Sequence, residues 1–431
     1  MTVSFFRTII VFLCLLFCLL FGTVRSQRQV YLKLQSQGFQ PVVIDIPYFF
    51  SEHFETAARI RQTLVNDLEL SGFFKVISST ATLAYDGRSS LPLSDGQETA
   101  TARLDGQFFV RNDKLSLTVQ LQELPSKQFI FNKQWQAEIN SERTLAHNVA
   151  DEVVFYLIGE RGIANTEIAY VREINGAKEL FVIDYDGYNP RQLTFTHSLN
   201  LMPSWSPDKD KLIYTSYETG YPRLHVMNIA DRVVTGLTRI KGMQSAPAWA
   251  PDGKKIALTL SWDGNSDIYS MDPKGGNLRR LTNSPAIDAS PSWSPDGREI
   301  AFTSDRSGSP QIYLMDAEGG NVRRLTFENR YNASPAWSPK GDLIAYVSRE
   351  EKGFQIYTID INGETVQRVT DSAGNNENPS WSPDELKLAF ASNRSGVWDI
   401  YVANPDGSKL RQLTKNGGNV SPKWSPWPKR K

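Results

Sequence analysis

The chain is poor in reactive sulfur. Its 431 residues include two cysteines, Cys14 and Cys18, and both fall in the first 26 positions. Downstream of them, thiol nucleophiles, thiolate metal sites and disulfides are excluded. Histidine is nearly as scarce. His53, His147, His197 and His225 are the only four, and no two stand at ligand spacing. An excess of either charge is also lacking, since Lys plus Arg and Asp plus Glu each number 47. No basic surplus exists to displace counterions, so nucleic acid is not an expected partner. There is no Gly-x-Ser-x-Gly elbow, phosphate-binding loop or dinucleotide fingerprint. The expectation is a chain without catalytic residues, metal or cofactor, and not an enzyme.

Long apolar runs are limited to one, Ile9 to Phe21, preceded by Arg7 and followed by Gly22-Thr23-Val24-Arg25-Ser26. It is short for a bilayer span. A basic start, an apolar centre, and Val24 and Ser26 before the cut describe a signal peptide over residues 1–26. No transmembrane anchor is expected after cleavage. Roughly 400 remaining residues can bury a core without disulfides.

What is abundant is a repeat. Trp205, Trp249, Trp293, Trp337 and Trp381 stand 44 residues apart, and Trp424 follows 43 later. Leu-Thr recurs in phase at Leu193, Leu237, Leu281, Leu325 and Leu413, with Val369-Thr370 in the remaining slot. The copy from Ala289 to Asn332 has no helical pattern. It carries four short strand signals separated by Ser294-Pro295-Asp296-Gly297, Arg306-Ser307-Gly308 and Glu318-Gly319-Gly320. Four strands per copy and six copies read as a six-bladed β-propeller over residues 163–431. The first copy begins at Ile168 without a Trp-Ser-Pro strand, and the last ends on Trp424 with nothing after it. The C-terminal strand is therefore expected to complete the first blade and close the ring.

The propeller follows an α+β domain, expected over residues 38–162. Its strands are Pro41 to Ile46, Phe73 to Ile77, Ala102 to Arg111, Leu115 to Glu123 and Gln128 to Ala137. Helices are expected from Glu55 to Leu70, ended by Gly72, and from Ser141 to Leu157, capped by Ser141. Residues 27–37 read as a mobile segment. Val30, Leu32 and Leu34 alternate there like a strand seeking a partner.

Between each Leu-Thr and the next Pro-x-Trp the sequence differs in every copy. These loops run from an outer strand to the next inner strand and should ring one mouth of the channel. They hold His197, Leu199, Asn200 and Met202, then Gly242, Met243 and Gln244, then Ile287 and Asp288. Arg330 and Tyr331, Asn376 and Glu377, and Asn419 complete the ring. A mixed surface of this kind suits a protein partner.

The junction Gly159-Glu160-Arg161-Gly162-Ile163-Ala164-Asn165-Thr166-Glu167-Ile168-Ala169-Tyr170-Val171 resembles that of the TolB family, periplasmic propeller proteins of the Tol–Pal envelope system. Glu167 stands where that family has Arg. The resemblance covers everything after the leader. It implies a periplasmic, non-enzymatic adaptor that supports outer-membrane integrity and envelope constriction at cell division. It further implies that the mouth receives the lipoprotein Pal, and by extension other outer-membrane lipoproteins. Met243, Ala246, Asp288, Ala289 and Ser290 are then the first contacts. The C-terminal domain of TolA would be bound by Gln27, Arg28, Val30, Tyr31, Leu32 and Leu34. The competing class is a propeller targeting domain of an exported peptidase, or a glycan-binding protein using Trp262 and Trp398.

Overall fold

In the computed structural model, residues 40–78, 99–238, 240–262, 264–371 and 374–429 are described. The expected leader, the segment 27–34 and its six named residues lie outside them. The chain divides into two compact units, one through Ala164 and one from Asn165. No helix among the described residues is long and apolar enough to cross a membrane.

Among the described residues the first unit is a five-stranded sheet with two helices. Its strands are β1 (Val42–Asp45), β2 (Phe74–Ile77), β3 (Ala102–Arg111), β4 (Lys114–Glu123) and β5 (Phe129–Glu138). They lie in the order β2-β1-β3-β4-β5. The β1 strand is parallel to both its neighbours, and the other pairs are antiparallel. A parallel pair needs a crossover, and α1 (Phe54–Ser71) supplies it between β1 and β2. Helix α1 buries Ala57, Ile60, Leu64 and Leu68, and ends on Gly72 at φ 82°. Asn112 and Asp113 both take positive φ, 49° and 58°, as a two-residue hairpin turn requires. One expectation fails: Ser141 precedes α2 (Glu142–Ile158), but its side chain makes no capping hydrogen bond.

The second unit is a six-bladed β-propeller of four-stranded sheets. The last strand, Asn419–Trp424, pairs with Glu167–Ile174 and forms the inner strand of the first blade. Trp424 Nε1 donates to Thr166 Oγ1 at 2.9 Å across this joint. Five of the six repeat tryptophans are buried, and Trp249 is half-buried. Trp293 packs among Ala257 and Ile268 of one blade and Ile300 and Phe302 of the next. The indoles of Trp205, Trp293 and Trp381 donate to carbonyls of the preceding inner strand, at Lys423, Ala248 and Ala336. The tryptophan series is thus core between blades, not a ligand stack.

The Leu-Thr marker has a physical reason. A Cβ built on Gly319 would lie 2.3 Å from the Leu281 carbonyl oxygen, and one on Gly275 2.0 Å from that of Leu237. The turn glycine of each of these blades lies against the leucine of the blade before it. Glu167, where the family has Arg, is paired with Arg191 and with Lys209 at 2.7 Å.

Candidate functional site

The six connecting loops share one face with the turns between second and third strands. Tyr217, Asp305 and Asn393 begin such turns, and Glu173 and Arg349 lie in the last two positions of the strands that lead into them. Their amides donate to the carbonyls of Leu199, Ile287, Tyr331, Asn375 and Gly418 in the loops. A mouth held by backbone bonds of this kind is a rigid platform for side chains.

Beneath it each blade carries a buried clasp. In the blade of Gln311, Thr326 Oγ1 accepts from Ile312 N at 2.9 Å and donates to Gln311 Oε1 at 2.7 Å. Asn332, at the start of the next inner strand, donates to the same oxygen at 2.9 Å. Gln355 with Thr370 and Asn376 repeats this, as does Asp399 with Thr414 and Asn419. Glu179 does so with Thr194 and Asn200. Gln244 departs by accepting directly from Thr238. Asp288 has no amide to donate, and the arrangement changes with it. Arg280 neutralises Asp267, and Arg306 holds both Asp288 oxygens at 2.9 and 3.0 Å.

This corrects five of the expected contact residues. Asn200, Gln244, Asp288 and Asn376 are 0% exposed and Asn419 1%. Asn200, Gln244, Asn376 and Asn419 tie blade to blade, and Asp288 ties its inner strand to the Arg306 turn of its own blade. The residues that build the clasp, Glu179, Asp267, Gln311, Gln355 and Asp399, do recur in the sequence at the repeat period, before Leu-Phe or Ile-Tyr. That periodic polar position was the available signal.

Three of the other expected residues, Met202, Ala246 and Ser290, sit at a local irregularity of the strands. Every inner strand is bulged where its pairing register shifts. The residue before each strand proline takes a left-handed φ: Met202 53°, Ala246 47°, Ser290 56°, Ser334 54°, Asn378 56° and Ser421 52°. A bulge removes its residue from the ladder and re-aims the side chain. Met202 and Met243 are exposed, at 44% and 50%. Ala246, Ala289, Ser290, Tyr331 and Glu377 are half-buried, and Arg330 is exposed. Burial alone pushes the Glu377 carboxyl above its usual range.

Large apolar side chains crowd one sector of the mouth, with Glu218 and Lys241 exposed among them. Leu199, Met202, Tyr221, Met243, Trp262 and Ile287, from three consecutive blades, are exposed large apolar side chains. The loops and turns of the other blades present Arg330, Glu351, Lys352, Asp371, Lys415 and Asn416, with Phe327 and Val397 between them. Tyr221 was not among the expected residues. Trp398, paired with Trp262 in the glycan reading, is half-buried.

Residues 155–356 and 350–430 match a family model described as TolB beta propeller domain. The chain is 33% identical over 217 residues to the Tol-Pal system protein TolB of Roseobacter denitrificans, covering 48% of this chain and 49% of that one. It is 34% identical over 230 residues to that of Desulfosudis oleivorans, covering 51% and 52%. The match spans about half the length of these curated relatives. A crystal structure of TolB from Acinetobacter baumannii aligns with 90% of this chain and 97% of its own, at TM-score 0.77 and 29% identity.

Proposed function

The chain belongs to the TolB β-propeller family, and from that premise we propose that it is a non-enzymatic Tol–Pal adaptor of the periplasm. Its mouth receives the lipoprotein Pal, and its segment Gln27–Leu34 engages TolA. One observation carries the reading: six large apolar side chains lie exposed on three adjacent blades, whose inner strands are held beneath them by the buried bonds of Asn200, Gln244 and Asp288. Interfaces place such anchors at their centre and charged groups at the rim. The Met202–Ile287 sector is the anchor and the Arg330–Lys415 sector the rim.

The test is capture of envelope proteins by residues 27–431 from a solubilised envelope of the source organism. A Pal-like lipoprotein is expected, and Met243→Arg with Ile287→Arg together should abolish its recovery. Removing residues 27–34 should abolish TolA capture and leave Pal capture intact. Undiminished Pal recovery by the double arginine variant would end the reading of the mouth. TolA recovery by the shortened chain would end that of the segment.

A further inference from the structure

The turn that follows each Trp-Ser strand has a common design. In its fullest form Ser294 Oγ donates to Asp296 Oδ1 at 2.6 Å, Arg298 N donates to the same oxygen at 3.1 Å, and Gly297 takes φ 72°. Two adjacent blades depart from it in complementary ways. In Pro339-Lys340-Gly341-Asp342 the acid has moved two places on, and Ser338 Oγ bonds to Asp342 Oδ1 at 3.2 Å. In Pro383-Asp384-Glu385-Leu386 the glycine has become Glu385, at φ 68°. A left-handed backbone costs a residue with a Cβ about 1 kcal/mol or more.

A side chain at this turn position is directed onto the turn of the blade before. A Cβ on Gly341 would lie 3.1 Å from the Pro295 ring, and one on Gly297 3.3 Å from that of Pro251. Glu385 accordingly faces the 338–342 turn. The Asp342 carboxylate, the Lys340 ammonium and the Ser338 hydroxyl are the groups near enough to act on its carboxyl. The residue is 0% exposed, and neither carboxyl oxygen has a hydrogen-bond partner. Burial first, then Asp342, push this carboxyl up to about 8.

Lys340, exposed on the same turn, offsets part of the repulsion between the two carboxyls but gives neither Glu385 oxygen a hydrogen bond. One proton would satisfy one Glu385 oxygen and leave the other bare and buried, at a cost of about 1–3 kcal/mol. A hard divalent cation accepts both oxygens at once, with Asp342 and the Ser338 hydroxyl completing an all-oxygen set. Asp342 is exposed, which gives the ion a route in and room for water ligands. We propose that the seam between these two blades, at Glu385, Asp342 and Ser338, is a binding site for a divalent cation, with calcium favoured by its tolerance of irregular oxygen coordination. The strained glutamate then has a role that a glycine could not fill. The inference is independent of what the mouth binds.

The test uses the chain from Gln27 to Lys431, stripped with EDTA. It is titrated calorimetrically with CaCl2 and with MgCl2 and melted with and without each ion. Glu385→Gly restores the residue of the repeat and should fold. Asp342→Asn keeps the turn and removes the charge. The wild type should bind one calcium equivalent more than either variant, and its melting point should rise by a few degrees more on saturation. Equal calcium stoichiometry in wild type and Glu385→Gly would overturn the proposal. So would a wild type insensitive to both ions that melts higher at pH 5 than at pH 8, since a shared proton then accounts for the pair.

Discussion

The two ends of the propeller's inner strands vary for opposite reasons. At the mouth end a buried Asn, Gln or Asp recurs in all six blades, and its exposed neighbours differ freely. At the other end the turn keeps its proline in all six blades, and Gly253 and Gly297 stand where a backbone at φ 71° and 72° favours glycine. Departures there, Lys209 at φ 64° and Glu385 at φ 68°, are strained. Variation at the mouth costs the fold little, because the clasp beneath bears the structure. Variation at the turns costs stability and calls for a specific interaction in return. Lys209 has one in Glu167.

The comparison breaks most visibly at Asp288. It is fully buried and carries the Arg306 guanidinium. Asp288→Ala leaves that cation unpaired in a largely buried setting, and stability should fall by about 3 kcal/mol. Urea denaturation at neutral pH measures the loss. A midpoint unchanged from wild type would mean that the buried ring is not what holds the mouth.

At the turn end the test is pH. In EDTA the folded Glu385 carboxyl titrates near 8, whereas in the unfolded chain it titrates at about 4.3. Between these values the folded state holds a proton that the unfolded state has released. Stability therefore falls as pH rises through this window, by at most about 1.4 kcal/mol per pH unit. Below the window the contribution is fully present. Glu385→Gly should flatten the slope between pH 5 and pH 8, and equal slopes in the two proteins would remove Glu385 from the account.

Most of the fold was legible because the repeat states it six times. The tryptophan period, the Leu-Thr marker and the missing first strand all have counterparts in the structure. The mouth was legible only as a region. Whether a residue at the start of an inner strand faces core or solvent depends on register, and one step reverses it. Asn376 and Glu377 show this, the first fully buried and the second half-exposed. The bulge at Ser290 and its counterparts adds a further shift that alternation alone does not reveal. Tyr221 escaped notice because it sits in a turn between strands, where one copy compared with another shows no pattern.

The smallest expected effect on stability is at Met243, one position before the buried Gln244. Its side chain is half-exposed, and none of its atoms belongs to a blade core cluster. An arginine there can extend into solvent without disturbing the Thr238–Gln244 bond beneath it. Surface replacements away from caps, strain and buried polar groups stay within about 0.5 kcal/mol. Met243→Arg should therefore unfold at nearly the wild-type urea concentration while losing lipoprotein capture. A destabilisation approaching that of Asp288→Ala would show that Met243 belongs to the scaffold, and the line drawn between a buried ring and an exposed one would have to move.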